Sequence, residues 1–182
     1  MNKTMKLNVT SSIGFLIGIG AWSISFITLI WGYLFYRMRA GQWLGSYMDE
    51  AVYIKIIVNS ALLIFSSWLF HQFLREKRNV MFWGGIFSGS LFLEEQWRLW
   101  EMLLARGLTL KGSLAGSFLY LLTGFHAAHV LIGLVILSGF SIKLLLVSEQ
   151  PHDDQGFQFG LKFWDLLLFF WLVLVFLIFI LK

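Results

Sequence analysis

The chain has no cysteine. That absence removes disulfides, zinc–thiolate sites, iron–sulfur clusters, c-type haem attachment and any two-cysteine copper centre. Charge is scarce too. Only 13% of the 182 residues are Asp, Glu, Lys or Arg, about half the share of an ordinary soluble domain. Almost nothing is left over for a soluble domain. Proline occurs once, at Pro151, so no long apolar segment is proline-kinked. No hydropathic symmetry relates the two halves, which gives no support to an inverted-repeat transporter. The formal charge of +4 is modest. Basic residues at helix ends are what membrane orientation requires, so no nucleic-acid partner is implied.

Apolar surface is what the chain has in excess. Hydrophobic residues make up 58% and mean hydropathy is +0.76, the composition of an integral membrane protein. The expected fold is all-α, a single membrane domain over 1–182 with five transmembrane helices. Five long apolar segments carry that expectation: Ile13–Tyr36, Ala51–Phe73, Val80–Leu104, Ser113–Val147 and Phe157–Leu181. Each exceeds the roughly 20 residues a span needs. The third contains charges and cannot face lipid all round. The fourth, 35 residues long, must tilt or project beyond the bilayer. Lys3 and Lys6 precede an apolar run too long for a signal-peptide core and without a small-x-small cleavage pattern, so it reads as a retained first span.

The connections are short, which makes consecutive helices antiparallel neighbours. The N-terminal side then carries Lys3, Lys6, Arg75, Lys77, Arg78, Lys143 and Lys162, against Arg37, Arg39, Arg106, Lys111 and Lys182 opposite. This excess predicts a cytoplasmic N-terminus and an outward C-terminus. Glycines four apart, at Gly14 and Gly18, Gly85 and Gly89, and Gly112 and Gly116, let backbones approach closely. Packing within the chain is the stronger reading of these pairs over contact between subunits.

Ionisable residues inside such segments mark sites or special packing contacts. The third segment holds Glu94, Glu95, Arg98 and Glu101. On a helix, Glu94 and Glu95 both reach Arg98 at i,i+4 and i,i+3, and Glu94 and Glu101 share a face. A self-neutralising ion cluster is the plain reading; a proton path or a salt bridge to a partner helix is the functional one. Three carboxylates against one arginine require that one be protonated, hydrated or paired with another segment. In the fifth, Lys162 and Asp165 can pair locally, or Asp165 can meet His126 or His129 across a helix interface. His126 and His129 stand three apart in the fourth segment. A metal site needs more ligands than this pair, and a b-haem needs histidines on two facing helices, for which His71 is the other candidate. Structural or proton-linked histidines are the stronger reading. Asn59, Ser66 and Ser67 on the second segment read as interhelical hydrogen-bonding groups.

Taken in order, these pieces resemble the subunit III family of the haem-copper respiratory oxidases. Asn59-Ser60 and Ser66-Ser67, with His71 after, are similar to that family's Asn-Thr and Ser-Ser pattern. A basic loop at Arg75-Glu76-Lys77-Arg78 and a segment with Gln96 and Glu101 follow. Thr123, Gly124, His126, Ala127, His129, Val130 and Gly133 resemble its Thr-Gly-x-His-Gly-x-His-Val-x-x-Gly motif. Leu161-Lys162-Phe163-Trp164-Asp165 stands where the family has Trp-His-Phe-x-Asp, and Tyr33 to Arg37 fits the aromatic end of its first span. The His-x-x-His motif in its setting is specific; the others are weak singly but correctly ordered. Five spans match the short bacterial form.

Three departures stand out. The family's first-span acid aligns with Trp22, Ala127 replaces a glycine, and Lys162 replaces a histidine. The resemblance implies a noncatalytic subunit of a cytochrome c or quinol oxidase in the bacterial inner membrane. No cofactor or metal is bound by this chain in that case. Haem and copper belong to partner subunits. The chain packs beside subunit I, holds structural phospholipid, and sustains proton uptake and turnover stability. The loss of the first-span acid keeps open a five-helix accessory protein of a nitric oxide reductase system. A b-haem electron carrier and a channel or transporter are the readings from other classes.

Overall fold

The computed structural model describes residues 9–39, 44, 47–146 and 155–180. Lys3, Lys6, Pro151 and Lys182 lie outside the described residues, as does the Lys143 side chain. The described residues are helical with short joints. In order they form α1 (Val9–Arg39), α2 (Glu50–Glu76), α3 (Asn79–Ala105), α4 (Leu114–Leu146) and α5 (Gln155–Val175), which runs on into a π-helical turn, Phe176–Ile180. Four of these helices are long and apolar enough to cross a membrane: α1, α2, the Leu114–Phe140 part of α4, and α5 with its extension to Phe179. α3 falls short on composition because Glu94, Glu95, Gln96, Arg98 and Glu101 crowd its second half.

Two helix ends show how local chemistry sets the joints. Asp49 caps α2 by accepting from the Val52 backbone N–H at 3.0 Å. At the other end Lys77 takes a left-handed conformation, φ 56°, and its N–H closes on the Phe73 carbonyl. That tight cap turns α2 into α3 with only two residues between them and sets the pair antiparallel. Arg106, after α3, donates to Asp49 at 2.5 Å and ties the α1–α2 and α3–α4 joints together.

α2, α3, α4 and α5 pack around an aromatic core that includes Phe70, Phe82, Phe92, Trp164 and Trp171. The α2–α3 approach is close enough that a Cβ on Gly85 would meet the Phe70 ring at 2.6 Å. A Cβ on Gly89 would meet Trp164 at 2.8 Å. The Gly85–Gly89 spacing thus works as intrachain packing. Gly14 and Gly18 correct the expectation for their pair, since nothing lies within 4 Å of where their Cβ atoms would be. α1 lies at the edge, antiparallel to α4 and parallel to α5. It buries Trp22, Phe26 and Tyr33 and leaves Ile13, Leu16, Ile17, Ile24 and Ile27 exposed.

Candidate functional site

The polar groups gather in a few places, each made by two or more helices. The first is the α2–α3 seam. Ser66 donates to the Gly85 carbonyl at 2.7 Å and Ser88 donates to the Leu62 carbonyl at 2.8 Å. One further step along, Asn59 donates to Gln96 at 3.0 Å with both side chains buried. The serine bonds satisfy hydroxyls that lipid could not, while Asn59 Oδ1 and Gln96 Nε2 have no partner among the described residues.

Toward the start of α2 the seam becomes ionic. Lys55 pairs with Glu95 across the two helices. Arg98 bridges Glu95 at 3.0 Å and Glu94 at 2.5 Å along α3. The third carboxylate, Glu101, accepts from the Trp97 indole at 2.9 Å. The excess negative charge of α3 is therefore met from another segment by Lys55, a residue the sequence reading passed over. Its signal was available: Lys55 is the one Lys, Arg, Asp or Glu between Ala51 and Leu74.

His126 sits in the core with no exposed surface. Its ring is surrounded by Phe26, Phe92 and Trp171, at centroid distances of 6.1, 5.9 and 5.2 Å. Neither ring nitrogen has a hydrogen-bond partner among the described residues. His129 differs. Its Nδ1 lies 2.7 Å from the Phe125 carbonyl, and a carbonyl can only accept, so Nδ1 carries the proton. The His129 ring lies 5.3 Å from Trp22. Thr123, three residues before His126, accepts from the Trp100 indole at 3.0 Å and donates to the Leu119 carbonyl. Gly124 has open space beside it. Among the described residues no three His, Cys, Asp or Glu side chains gather as a metal site would require.

Asp165 does not reach His126 or His129, contrary to the sequence expectation. The preceding residue, Trp164, faces α3 and α4, its ring lying against the Cα atoms of Gly89 and Gly133. One residue on, the helix has turned by about 100°, which directs Asp165 to α2. There Ser67 donates to Asp165 Oδ1 at 2.7 Å and His71 Nε2 lies 3.1 Å from the same oxygen. The local Lys162–Asp165 pair does not form either, because Lys162 extends over the Phe159 ring, 5.9 Å from its centroid.

An apolar cavity of about 340 Å³ opens between α1, α4 and α5. Phe15, Gly18, Ile19, Ile136, Phe159 and Phe163 line it. It opens to one side of the bundle, beside α1.

No protein-family model matches the chain. Individual relatives do. The chain is 32% identical over 181 residues to a cytochrome c oxidase subunit 3 of Synechocystis sp., covering 92% of this chain and 74% of the relative. A cytochrome c oxidase subunit 3 of Corynebacterium diphtheriae is 38% identical over 65 residues, which is 36% of this chain and 30% of that protein. A third, from Trichophyton rubrum, is 36% identical over 66 residues, again 36% of this chain and 24% of the relative. With four helices suited to crossing a membrane and a match to such a relative over 92% of its own length, this chain is a multi-pass membrane protein that belongs to the cytochrome c oxidase subunit 3 family.

Proposed function

We propose that this chain is the noncatalytic subunit III of a haem-copper terminal oxidase, packed beside subunit I in a bacterial cytoplasmic membrane. The observation that carries the reading is the relation to a cytochrome c oxidase subunit 3 across 92% of the chain. The geometry supports it in detail. α3 is laced to α2 by Ser66, Ser88 and Asn59 and runs between two helices apolar enough to span. It crosses with them, which makes five spans and sets the termini on opposite faces. The N-terminus lies in the cytoplasm in this reading, as the basic residues favour.

In this reading haem and copper reside in partner subunits, and this chain contributes durability. The apolar cavity against α1 suits an acyl chain, which makes it the place for a structural phospholipid. Glu94, Glu95 and Glu101 lie on the outward half of α3 in this orientation, where their pairing with Arg98, Lys55 and Trp97 holds the α2–α3 seam. The test is turnover of the complex with and without the chain. Loss of the chain leaves the initial rate of oxygen reduction near normal and shortens the time to inactivation. An oxidase that turns over equally long without it contradicts the role.

A further inference from the structure

Ser67, His71 and Arg75 recur at four-residue steps and share one face of α2 near its end. Asp165 of α5 meets the inner part of that stripe. Ser67 donates to Asp165 Oδ1 at 2.7 Å, and His71 Nε2 lies 3.1 Å from the same oxygen. A carboxylate oxygen only accepts, so Nε2 carries the proton and Nδ1 is the ring nitrogen left for another partner. The His71 side chain is 53% exposed. One turn further, Arg75 is exposed and has no ion-pair partner among the described residues, since Glu76 pairs with Arg78 at 3.7 Å. Lys162, the nearest charge along α5, is turned onto Phe159.

The run Arg75-Glu76-Lys77-Arg78 holds four charges in succession and belongs in water. His71 is five residues from Glu76 at the end of α2, about 7.5 Å of helix rise. That is the depth of a lipid headgroup layer, about 5–8 Å on each side of the hydrocarbon. Away from the charged end the same faces turn apolar. On α2, Trp68 and Ile64 follow His71 at steps of three and seven residues; on α5, Phe169 and Leu172 follow Asp165 at four and seven. All four are exposed. The two helices run antiparallel, and beyond these residues the Trp171 indole donates to Ser60 at 3.1 Å. The four side chains therefore make one apolar track that starts at the polar stripe. It lies on the far side of α5 from the apolar cavity, because Asp165 is two residues from Phe163, about 200° round the helix.

We propose that this α2–α5 groove binds one anionic phospholipid, its phosphate held between Arg75 and His71 and an acyl chain laid along the apolar track. Asp165 is a positioning residue: it holds the imidazole by Nε2, so that Nδ1 is the nitrogen that meets the phosphate. A phosphate oxygen at Nδ1 draws a second proton onto the ring. The guanidinium and the imidazolium, less the Asp165 carboxylate, then leave one net positive charge for one phosphate diester. Lys77 and Arg78 stand next to the site and repel the ammonium of a zwitterionic headgroup, so an anionic headgroup is selected. The apolar track selects a lipid over free phosphate. This site is separate from the cavity beside α1, and it requires only that the chain spans a membrane, not the oxidase reading.

The test places the purified native complex in phosphatidylcholine vesicles doped with phosphatidylglycerol that carries a diazirine on its acyl chain. Irradiation is followed by peptide mapping of the adducts. The expected adducts fall around Trp68 and Phe169, and unlabelled phosphatidylglycerol displaces them whereas phosphatidylethanolamine and inorganic phosphate do not. Arg75→Gln and His71→Gln each lower the yield about tenfold, the loss of one charge-assisted hydrogen bond. Lys162→Gln, away from the groove, leaves it within about twofold. The yield falls as pH rises from about 6 to 8, across the ordinary histidine range, and His71→Gln removes that dependence. Asp165→Asn moves the midpoint of the profile to lower pH, which a purely structural contact would not do. Equal displacement by phosphatidylethanolamine reduces the groove to ordinary lipid contact and overturns the proposal. Displacement by inorganic phosphate, or a yield indifferent to Arg75 and His71, overturns it as well.

Discussion

Asn59 donates to Gln96 at 3.0 Å across the α2–α3 seam, and neither side chain has meaningful exposure. Each is the other's partner, buried in the α2–α3 seam. Removing one therefore strands the other. Asn59→Leu and Gln96→Leu should each cost about 1–2 kcal/mol, and the double substitution should cost clearly less than their sum. Unfolding in a denaturing detergent titration measures all three. Additive costs would show that the two amides do not depend on each other.

The glycines of α3 and α1 make opposite predictions. Gly85→Ala places a methyl 2.6 Å from the Phe70 ring, and Gly89→Ala places one 2.8 Å from Trp164. Both meet buried aromatic rings with little room to move. Each should cost about 1–3 kcal/mol by overpacking. Gly14→Ala and Gly18→Ala, with open space around them, should leave the isolated chain within about 0.5 kcal/mol of the parent. Thermal stability of the four variants decides.

His126 tests whether its buried imidazole does anything beyond filling space. Its three ring neighbours would hold a phenyl group equally well. His126→Phe should keep or raise stability, since it removes polar atoms that have no partner among the described residues. His126→Ala should cost about 2–4 kcal/mol through the cavity it leaves. Normal turnover in the His126→Phe complex supports a packing role; a stable but inactive complex assigns the ring to proton chemistry.

The Asp49 carboxylate gives a pH dependence outside the spans. The Val52 N–H above all, and then Arg106, hold it below the usual carboxylate range. A depressed folded value means that its contribution is complete above the unfolded carboxylate value. The contribution is then lost as pH falls through the lower folded value. Asp49→Asn should flatten this acid limb of the stability curve while leaving neutral-pH helix content unchanged. An unaltered acid limb in the variant would place the effect on other carboxylates.

Much of the architecture was legible in the sequence because apolar run length is a strong constraint in a membrane. The all-helical bundle and its antiparallel joints followed from runs and short loops. Pairings across helices followed less well. Glu94 and Glu95 with Arg98 were readable because i,i+3 and i,i+4 neighbours share a helix face. Lys55 was passed over because its partner Glu95 lies forty residues away, and a single sequence carries no register between helices. The Asp165–His126 expectation failed for a related reason. It needed the rotation of α5, and that rotation is fixed by Trp164 entering the space left by Gly89 and Gly133.

The most direct measurement is the composition of the native complex. The chain, tagged and expressed in its own host, is purified in mild detergent, its partners are identified by mass spectrometry, and a reduced-minus-oxidised spectrum is recorded. The account predicts subunits I and II of a haem-copper oxidase in constant ratio to this chain, haem bands in the complex, and a colourless chain after separation. Partners from nitric oxide reduction, or a haem band that stays with the isolated chain, would contradict it.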